Sequence, residues 1–222
     1  MELNEIMQEV PSGAIRPCGK GLYIVMVRTA FGDISAELLN SLNKIVQDLG
    51  LSGMRVTAQQ RMQLINVPED KLKEVVDRLG QVVGDISKYP VGACAGIKLC
   101  RFGVQDSTAM AEKLEEFLNA FELPSKLKSG VSGCSMSCGE SYVRDVGLVG
   151  TKKGWTVLFG GNAGKGARKA DTLAEGVSDE QAFEIIGKAL DFYRENAKKK
   201  ERTARFVERV GIDAVMEAVN RS

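Results

Sequence analysis

No histidine occurs anywhere in the 222 residues. That absence excludes Ser-His-Asp and Cys-His catalysis, histidine-ligated zinc and a histidine-held haem. A haem held by thiolate survives the exclusion, and any proton donor or anion anchor must be Lys, Arg, Tyr, Cys or a carboxylic acid. Long apolar runs are missing too: no stretch approaches the ~20 apolar residues of a membrane-spanning helix. The opening, MELNEIMQEV, has neither the basic nor the apolar region of a signal peptide, which predicts a cytoplasmic protein. Charge of one sign is also lacking. Lys and Arg number 30 against 29 Asp and Glu, so no global field points to nucleic acid or a membrane. Hydrophobic residues at 44 % and charged residues at 27 % are ordinary for a soluble globular chain. There is no internal repeat and no long linker.

What the chain does have is cysteine in an ordered pattern. Four of its five cysteines lie in the central third, in two short pairs. The first is Val91-Gly-Ala-Cys94-Ala-Gly-Ile-Lys-Leu-Cys100 and the second Gly133-Cys134-Ser-Met-Ser-Cys138-Gly139. Thiolates are soft ligands, and a [4Fe–4S] cube is held by four of them. Flanking glycines suit tight turns that present backbone N–H groups to sulfur. Zinc is the nearest competitor, although paired zinc ligands favour gaps of about two to four residues rather than the wider gap of the first pair. Disulfides would need an oxidising compartment. Inert or redox thiols packed as small hydrophobes complete the alternatives. Cys18 has no partner in the pattern and reads as a packed or stray thiol.

The order of elements predicts an α+β fold. Residues 20–28 read as a strand, and Ser35 caps a helix over Ala36–Leu49 that Gly50 stops. Met54–Ala58 and Met62–Val67 are short strands, Pro68 opens a helix to Leu79, and 81–86 reads as a further strand. This β-α-β-β-α-β sequence is that of a ferredoxin-like lobe. A second α/β lobe follows. Asp106 or Ser107 caps a helix to Phe121, Lys126–Val131 reads as a strand, and Val143–Gly150 with Trp155–Phe159 as a hairpin. Gly160–Gly166 is a glycine-rich loop, and the tail is helical over 179–198, 201–210 and 212–219. The lobe boundary falls near Ser87–Pro90.

Cys-x5-Cys followed by Cys-x3-Cys resembles the cysteine signature of the sirohaem-dependent sulfite and nitrite reductases. The resemblance extends along the chain. Leu22–Arg28 and the following Phe-Gly-Asp-Ile-Ser-Ala-Glu are similar to the opening strand and helix of the family's repeat. Arg55-Val-Thr-Ala-Gln-Gln-Arg-Met-Gln63 is similar to its Thr-Thr-Arg-Gln-x-x-Gln hairpin, with Gln59 where the family has arginine and Arg61 nearby. Lys88-Tyr-Pro-Val-Gly resembles Arg-Asn-Pro-Val-Gly. Leu123-Pro-Ser-Lys126-Leu-Lys128 resembles Leu-Pro-Arg-Lys-Phe-Lys, and Glu201–Gly211 resembles the closing helix. A single repeat stands where the larger enzymes have two, as in the small assimilatory-type sulfite reductases.

The resemblance implies a [4Fe–4S] cluster held by Cys94, Cys100, Cys134 and Cys138, with Cys138 also bridging to sirohaem iron. It implies substrate contacts from Lys126 and Lys128 first, then Lys88 and Arg61. It implies sirohaem contacts from Asn162, Lys165, Arg168, Arg28 and Arg55. Residues 1–87 would form the ferredoxin-like reductase lobe, and residues 88–222 the sirohaem and cluster lobe with its helical tail. The implied activity is six-electron reduction of sulfite to sulfide, or of nitrite to ammonia. Its electrons would come from an external donor protein such as a ferredoxin, and the enzyme would be a monomer or weak homodimer. Two other readings stay open: an iron–sulfur or sirohaem electron carrier with little turnover, and a zinc-stabilised interaction domain. Lys152, Lys153 and Lys198–Lys200 read as solvated surface charge.

Overall fold

The computed structural model describes residues 3–84 and 87–221. The chain divides into two compact units, Met1–Ile86 and Ser87–Ser222.

The first unit opens with helix α1 (Leu3–Glu9) and strands β1 (Ile15–Gly19) and β2 (Leu22–Val27). Helix α2 (Ala36–Asp48) is capped by Ser35, whose hydroxyl accepts from Leu38 N, and the left-handed Gly50 follows it. Strands β3 (Met54–Val56) and β4 (Met62–Pro68) lead into helix α3 (Leu72–Leu79), and the sheet order is β1-β2-β4-β3, all antiparallel. Val25, Leu42, Ile45, Leu64, Val67, Leu72 and Val75 form its core, each at most 1 % exposed. Helix periodicity and strand alternation aim these residues at one another.

Two expectations change here. Pro68 ends β4 instead of opening the helix, and a 3-10 turn at Glu69–Lys71 intervenes. The expected closing strand over 81–86 reduces, among the described residues, to a 3-10 turn at Gly80–Val82 and a single bridge of Val83 to Val27; residues 85 and 86 lie outside the described set. The same edge of β2 is paired instead by β1, which the sequence reading missed. Pro17 and Gly19 disguise that strand, and Pro belongs on an edge because it cannot donate to a ladder.

The second unit runs through strand β5 (Val91–Ala93), the short helix α4 (Gly96–Leu99) and helix α5 (Ser107–Asn119). Strands β6 (Ser129–Ser132), β7 (Val146–Thr151), β8 (Gly154–Phe159) and β9 (Asp171–Val177) follow. Helices α6 (Asp179–Asn196), α7 (Thr203–Val210) and α8 (Ile212–Asn220) complete it. The sheet order is β5-β6-β7-β8-β9, with β5, β6 and β7 parallel and the last two pairings antiparallel. Asp106 caps α5 through Ala109 N, and Ser178 with Gln181 forms a capping box on α6. Phe159, Tyr193 and Phe206 meet edge to face, with centroids 6.5 and 5.2 Å apart, and lock α6 and α7 to the sheet.

The expected strand over 126–131 begins only at Ser129, so Lys126 and Lys128 lie in the loop before β6. The hairpin starts at Val146 because Ser141–Val143 forms a 3-10 turn. Strand β9 escaped notice because its Asp, Glu and Gly are poor strand formers. Among the described residues no helix is long and apolar enough to cross a membrane.

Candidate metal centre and anion site

Parallel strands deliver two of the cysteines side by side. Val91, Gly92 and Ala93 of β5 pair with Ser129, Gly130 and Val131 of β6. Cys94 and the Gly133–Cys134 step therefore leave neighbouring strand ends together, and carboxyl ends of parallel strands are where such sheets bind ligands. Cys94 N donates to Val131 O at 3.1 Å, and Gly133 N donates to Cys94 Sγ at 3.1 Å. The Ser107 hydroxyl, at the start of α5, donates to Cys94 O at 2.7 Å and lies 3.5 Å from the thiol.

The loop carrying Cys100 is stitched to the second pair. Cys100 N donates to Gly96 O and Gly103 N to Cys100 O. Val104 N and Gln105 N both donate to Gly133 O, at 2.8 and 3.1 Å. Close backbone approach makes this possible. A Cβ on Gly133 would lie 2.7 Å from Gly96 Cα and from Gln105 O, and one on Gly103 would lie 2.4 Å from Gly96 C. Cys134 O accepts from Ser137 N, and Ser132 Oγ accepts from Gly139 N at 3.0 Å, which folds the Cys134–Cys138 turn back onto β6.

All five cysteines are free thiols, with Cys94, Cys100 and Cys134 half-buried and Cys138 exposed. Among the described residues no three Cys, Asp or Glu side chains converge on a point that could hold a metal ion. The backbone brings the loops together, and the Cys94 thiol turns to Gly133 N and Ser107. Four soft donors on two stitched, partly open loops, with an amide already aimed at sulfur, fit a thiolate-held cluster. A buried Nε of Arg144, a few residues past Cys138, has no acceptor among the described residues, which leaves a donor for a further group.

Lys126 is exposed, Leu127 buried and Lys128 half-buried, so the two lysines share the outward side of an extended loop rather than of a strand. This loop is tied at both ends. Lys200 N donates to Pro124 O, and Lys128 N donates to Asp145 Oδ2 at 2.8 Å. Lys88 is committed elsewhere: it pairs with Glu122 and donates to Phe121 O at 3.2 Å. The hydrogen bond to Glu122 holds its ammonium above the usual lysine range.

The glycine-rich loop is organised from within. Asn162 pairs with Arg168 across it, and its side chain bonds Gly166 O and Gly164 N. Arg168 bonds Gly160 O at 2.9 Å and Asp171 at 2.5 Å, so it staples the loop, whereas Lys165 is exposed. In the first unit Arg28 and Arg55 are exposed, while Arg61 is 3 % exposed and stacks over the Phe31 ring at 5.5 Å. Cys18, also there, is exposed and near Asn66 Oδ1.

The sequence reading missed Asp145, which is fully buried and accepts from Lys128 N, Arg202 and Thr203. It also gave no role to Gln105 and Arg144, and read Ser107 only as a candidate helix cap, not as a partner of Cys94. The only signal for Asp145 was an acid directly preceding an apolar strand.

Comparison with known proteins gives a consistent result. The family described as "Nitrite and sulphite reductase 4Fe-4S domain" matches residues 88–222, and "Nitrite/Sulfite reductase ferredoxin-like half domain" matches residues 15–82. The chain is 38 % identical over 216 residues to an assimilatory-type sulfite reductase of Nitratidesulfovibrio vulgaris, covering 96 % of this chain and 99 % of that one. It is 34 % identical over 204 residues to a nitrite reductase [NAD(P)H] of Bacillus subtilis, covering 90 % of this chain but 25 % of the relative. Among solved structures, the NirA protein of Mycobacterium tuberculosis superposes with a TM-score of 0.75 at 22 % identity, over 91 % of this chain and 41 % of that one. Dissimilatory sulfite reductase I gives 0.76 at 15 % identity, over 90 % and 69 %. At these identities the two structures speak to the fold.

Proposed function

Since the chain belongs to the nitrite and sulphite reductase family, with its 4Fe-4S domain and ferredoxin-like half domain, we propose that it reduces sulfite to sulfide by six electrons. Nitrite reduction to ammonia is the companion reaction of the same site. The observation that carries this reading is the stitching of the Cys94–Cys100 loop to the Cys134–Cys138 loop through Gly133, inside the segment matched by the 4Fe-4S domain.

Cys94, Cys100, Cys134 and Cys138 would hold the [4Fe–4S] cluster, and Cys138, the exposed member, would be shared with sirohaem. When bound, these groups supply an open iron site and one-electron steps, the hard chemistry that protein side chains lack. The chain's own contribution is charge and protons. Lys126 and Lys128, on one side of their loop, attract the oxyanion, favour departure of oxygen and supply protons in a site without histidine. Lys88 and Arg61 rank after them, because Lys88 is already paired with Glu122 and Arg61 is stacked on Phe31. Arg28, Arg55, Asn162, Lys165 and Arg168 are assigned to the sirohaem carboxylates. Arg168 and Asn162 serve by shaping the glycine-rich loop.

The family match favours the iron–sulfur reading of the cysteines over zinc and over inert thiols. Electrons are assigned to a separate donor protein such as a ferredoxin, as the likeness to the assimilatory-type sulfite reductase supports, and the working form to a cytoplasmic monomer or weak homodimer. The test is anaerobic turnover of the loaded protein with a reduced viologen dye as electron source. Stoichiometric sulfide from sulfite supports the reading. Visible cofactor bands with no sulfide and no ammonia would leave an electron carrier instead.

A further inference from the structure

The fully buried carboxylate of Asp145 belongs to none of the roles above, yet the lysine loop, the glycine-rich loop and the start of α7 meet on this residue. Its Oδ2 accepts from Lys128 N at 2.8 Å, and Asp145 N returns a bond to Lys128 O at 2.9 Å. Its main-chain carbonyl accepts from Gly160 N at 2.9 Å, at the start of the glycine-rich loop. From the tail, Arg202 donates through Nε at 3.1 Å and through a second guanidinium nitrogen, and Thr203 Oγ1 donates at 2.5 Å. The carboxylate is therefore satisfied by a main-chain amide, a bidentate guanidinium and a hydroxyl, as a buried charge must be.

We propose that Asp145 is the positioning residue of the anion site: its carboxylate fixes the backbone of Lys128, and so the place from which that lysine meets the oxyanion. The lysine loop has no strand pairing of its own at 126–128. What holds Lys128 is the paired exchange with Asp145, and Asp145 is held in turn by Arg202 and Thr203 at the start of α7. Burial makes the arrangement stiff. A carboxylate removed from water cannot exchange its donors for solvent, so the amide of Lys128 is kept at one point. Small displacements of a group that meets a reacting anion are costly, up to ~100-fold for about 1 Å. The shared Asp145 main chain extends the same control to Gly160.

This inference rests on the reading of Lys128 as an anion contact, and the experiment separates the two. The loaded protein is titrated with sulfite and with nitrite, and the dissociation constant is read from the visible bands, normalised to sirohaem. The variants are Asp145→Asn, Lys128→Met and their double. Asn keeps the size and one acceptor but loses the charge that Arg202 holds. Asp145→Asn is expected to weaken anion binding ~10-fold while the bands of the anion-free protein stay unchanged, and to add less than about 2-fold in the Lys128→Met background. Thr203→Val, which keeps both charges, is expected to weaken binding ~3-fold in the same Lys128-dependent way, and it serves if Asp145→Asn does not fold. An Asp145→Asn protein that melts earlier but binds the anions as wild type does would make Asp145 a structural residue only. Full multiplication of the two single effects would likewise overturn the proposal. A Lys128→Met protein with unchanged binding would remove the lysine reading itself, and the positioning role with it.

Discussion

Gly133 N donates to the thiol of Cys94 at 3.1 Å, across 39 residues of sequence. The contact exists because β5 and β6 pair in parallel up to Ala93 and Val131, and because Gly133 has no side chain to hold Gly96 away. The spacing of the two cysteine loops thus depends on an atom that is absent.

A methyl group at Gly133 should show this. Its Cβ would meet Gly96 Cα and Gln105 O, both at 2.7 Å, and both are backbone atoms that cannot swing aside. Gly133→Ala is expected to cost about 1–3 kcal/mol, as overpacking does. It should also lower iron content, because the loops must part. Gly187→Ala is the control. That residue lies within α6, where a Cβ makes only a 3.4 Å contact with the Phe117 ring, so alanine should gain about 0.5–1 kcal/mol. Thermal melting and iron analysis of both proteins read the two effects separately.

Much of this arrangement was legible in the sequence. The cysteine spacing, the cap at Ser35, the cap at Asp106 or Ser107, and the helical spans that became α2, α5 and α6 each depend on local chemistry, and local chemistry is written locally. Tertiary pairing was harder to read. Strand β1 carries Pro17 and is mostly exposed, so neither its propensity nor its alternation marks it, and only the free edge of β2 makes it a strand. The lysines at 126 and 128 alternate with a buried leucine as a strand would, yet β6 starts after them because Asp145, not a neighbouring strand, takes the Lys128 amide. Asp145 was invisible for the same reason. Its partners come from positions 128, 202 and 203, and no motif spans that distance.

Replacement of Lys126 or Lys128 by methionine should separate charge from packing, since methionine keeps much of the apolar stem. Cofactor content and visible bands are expected to stay close to wild type. Sulfite and nitrite reduction should fall together by at least ~10-fold, a floor below the ~100-fold loss typical of one preorganised donor. Lys152→Met and Lys199→Met, on exposed positions, should behave as wild type. Equal rates in all four variants would make the two lysines surface charge and shift attention to Lys88 and Arg61.

Acid should destabilise the tail through Glu201. The hydrogen bond from Arg209 is the main cause that lowers its carboxyl from 4.5 to about 2, aided by Lys198 N. A folded value below the unfolded one means that the ionised group stabilises the fold above about pH 4.5, and that this contribution is lost as pH falls towards 2. Glu201→Gln should therefore flatten the pH dependence of the urea midpoint between about pH 5 and about pH 3, with little change in slope above that window. An unaltered acid slope would show that Glu201 is not tied to Arg209 in solution.

The most direct measurement is the iron, acid-labile sulfide and sirohaem content of the anaerobically prepared protein, with its visible spectrum, for wild type and for serine at each of the five cysteines. Thiolates of Cys94, Cys100, Cys134 and Cys138 acting together should give a wild-type protein with cluster and sirohaem in equal amounts. Loss of cluster iron is expected in each of those four variants, with loss of haem–cluster coupling as well in Cys138→Ser. Cys18→Ser should match wild type. Zinc in place of iron, or a Cys18→Ser variant that loses as much iron as Cys94→Ser, would contradict the assignment.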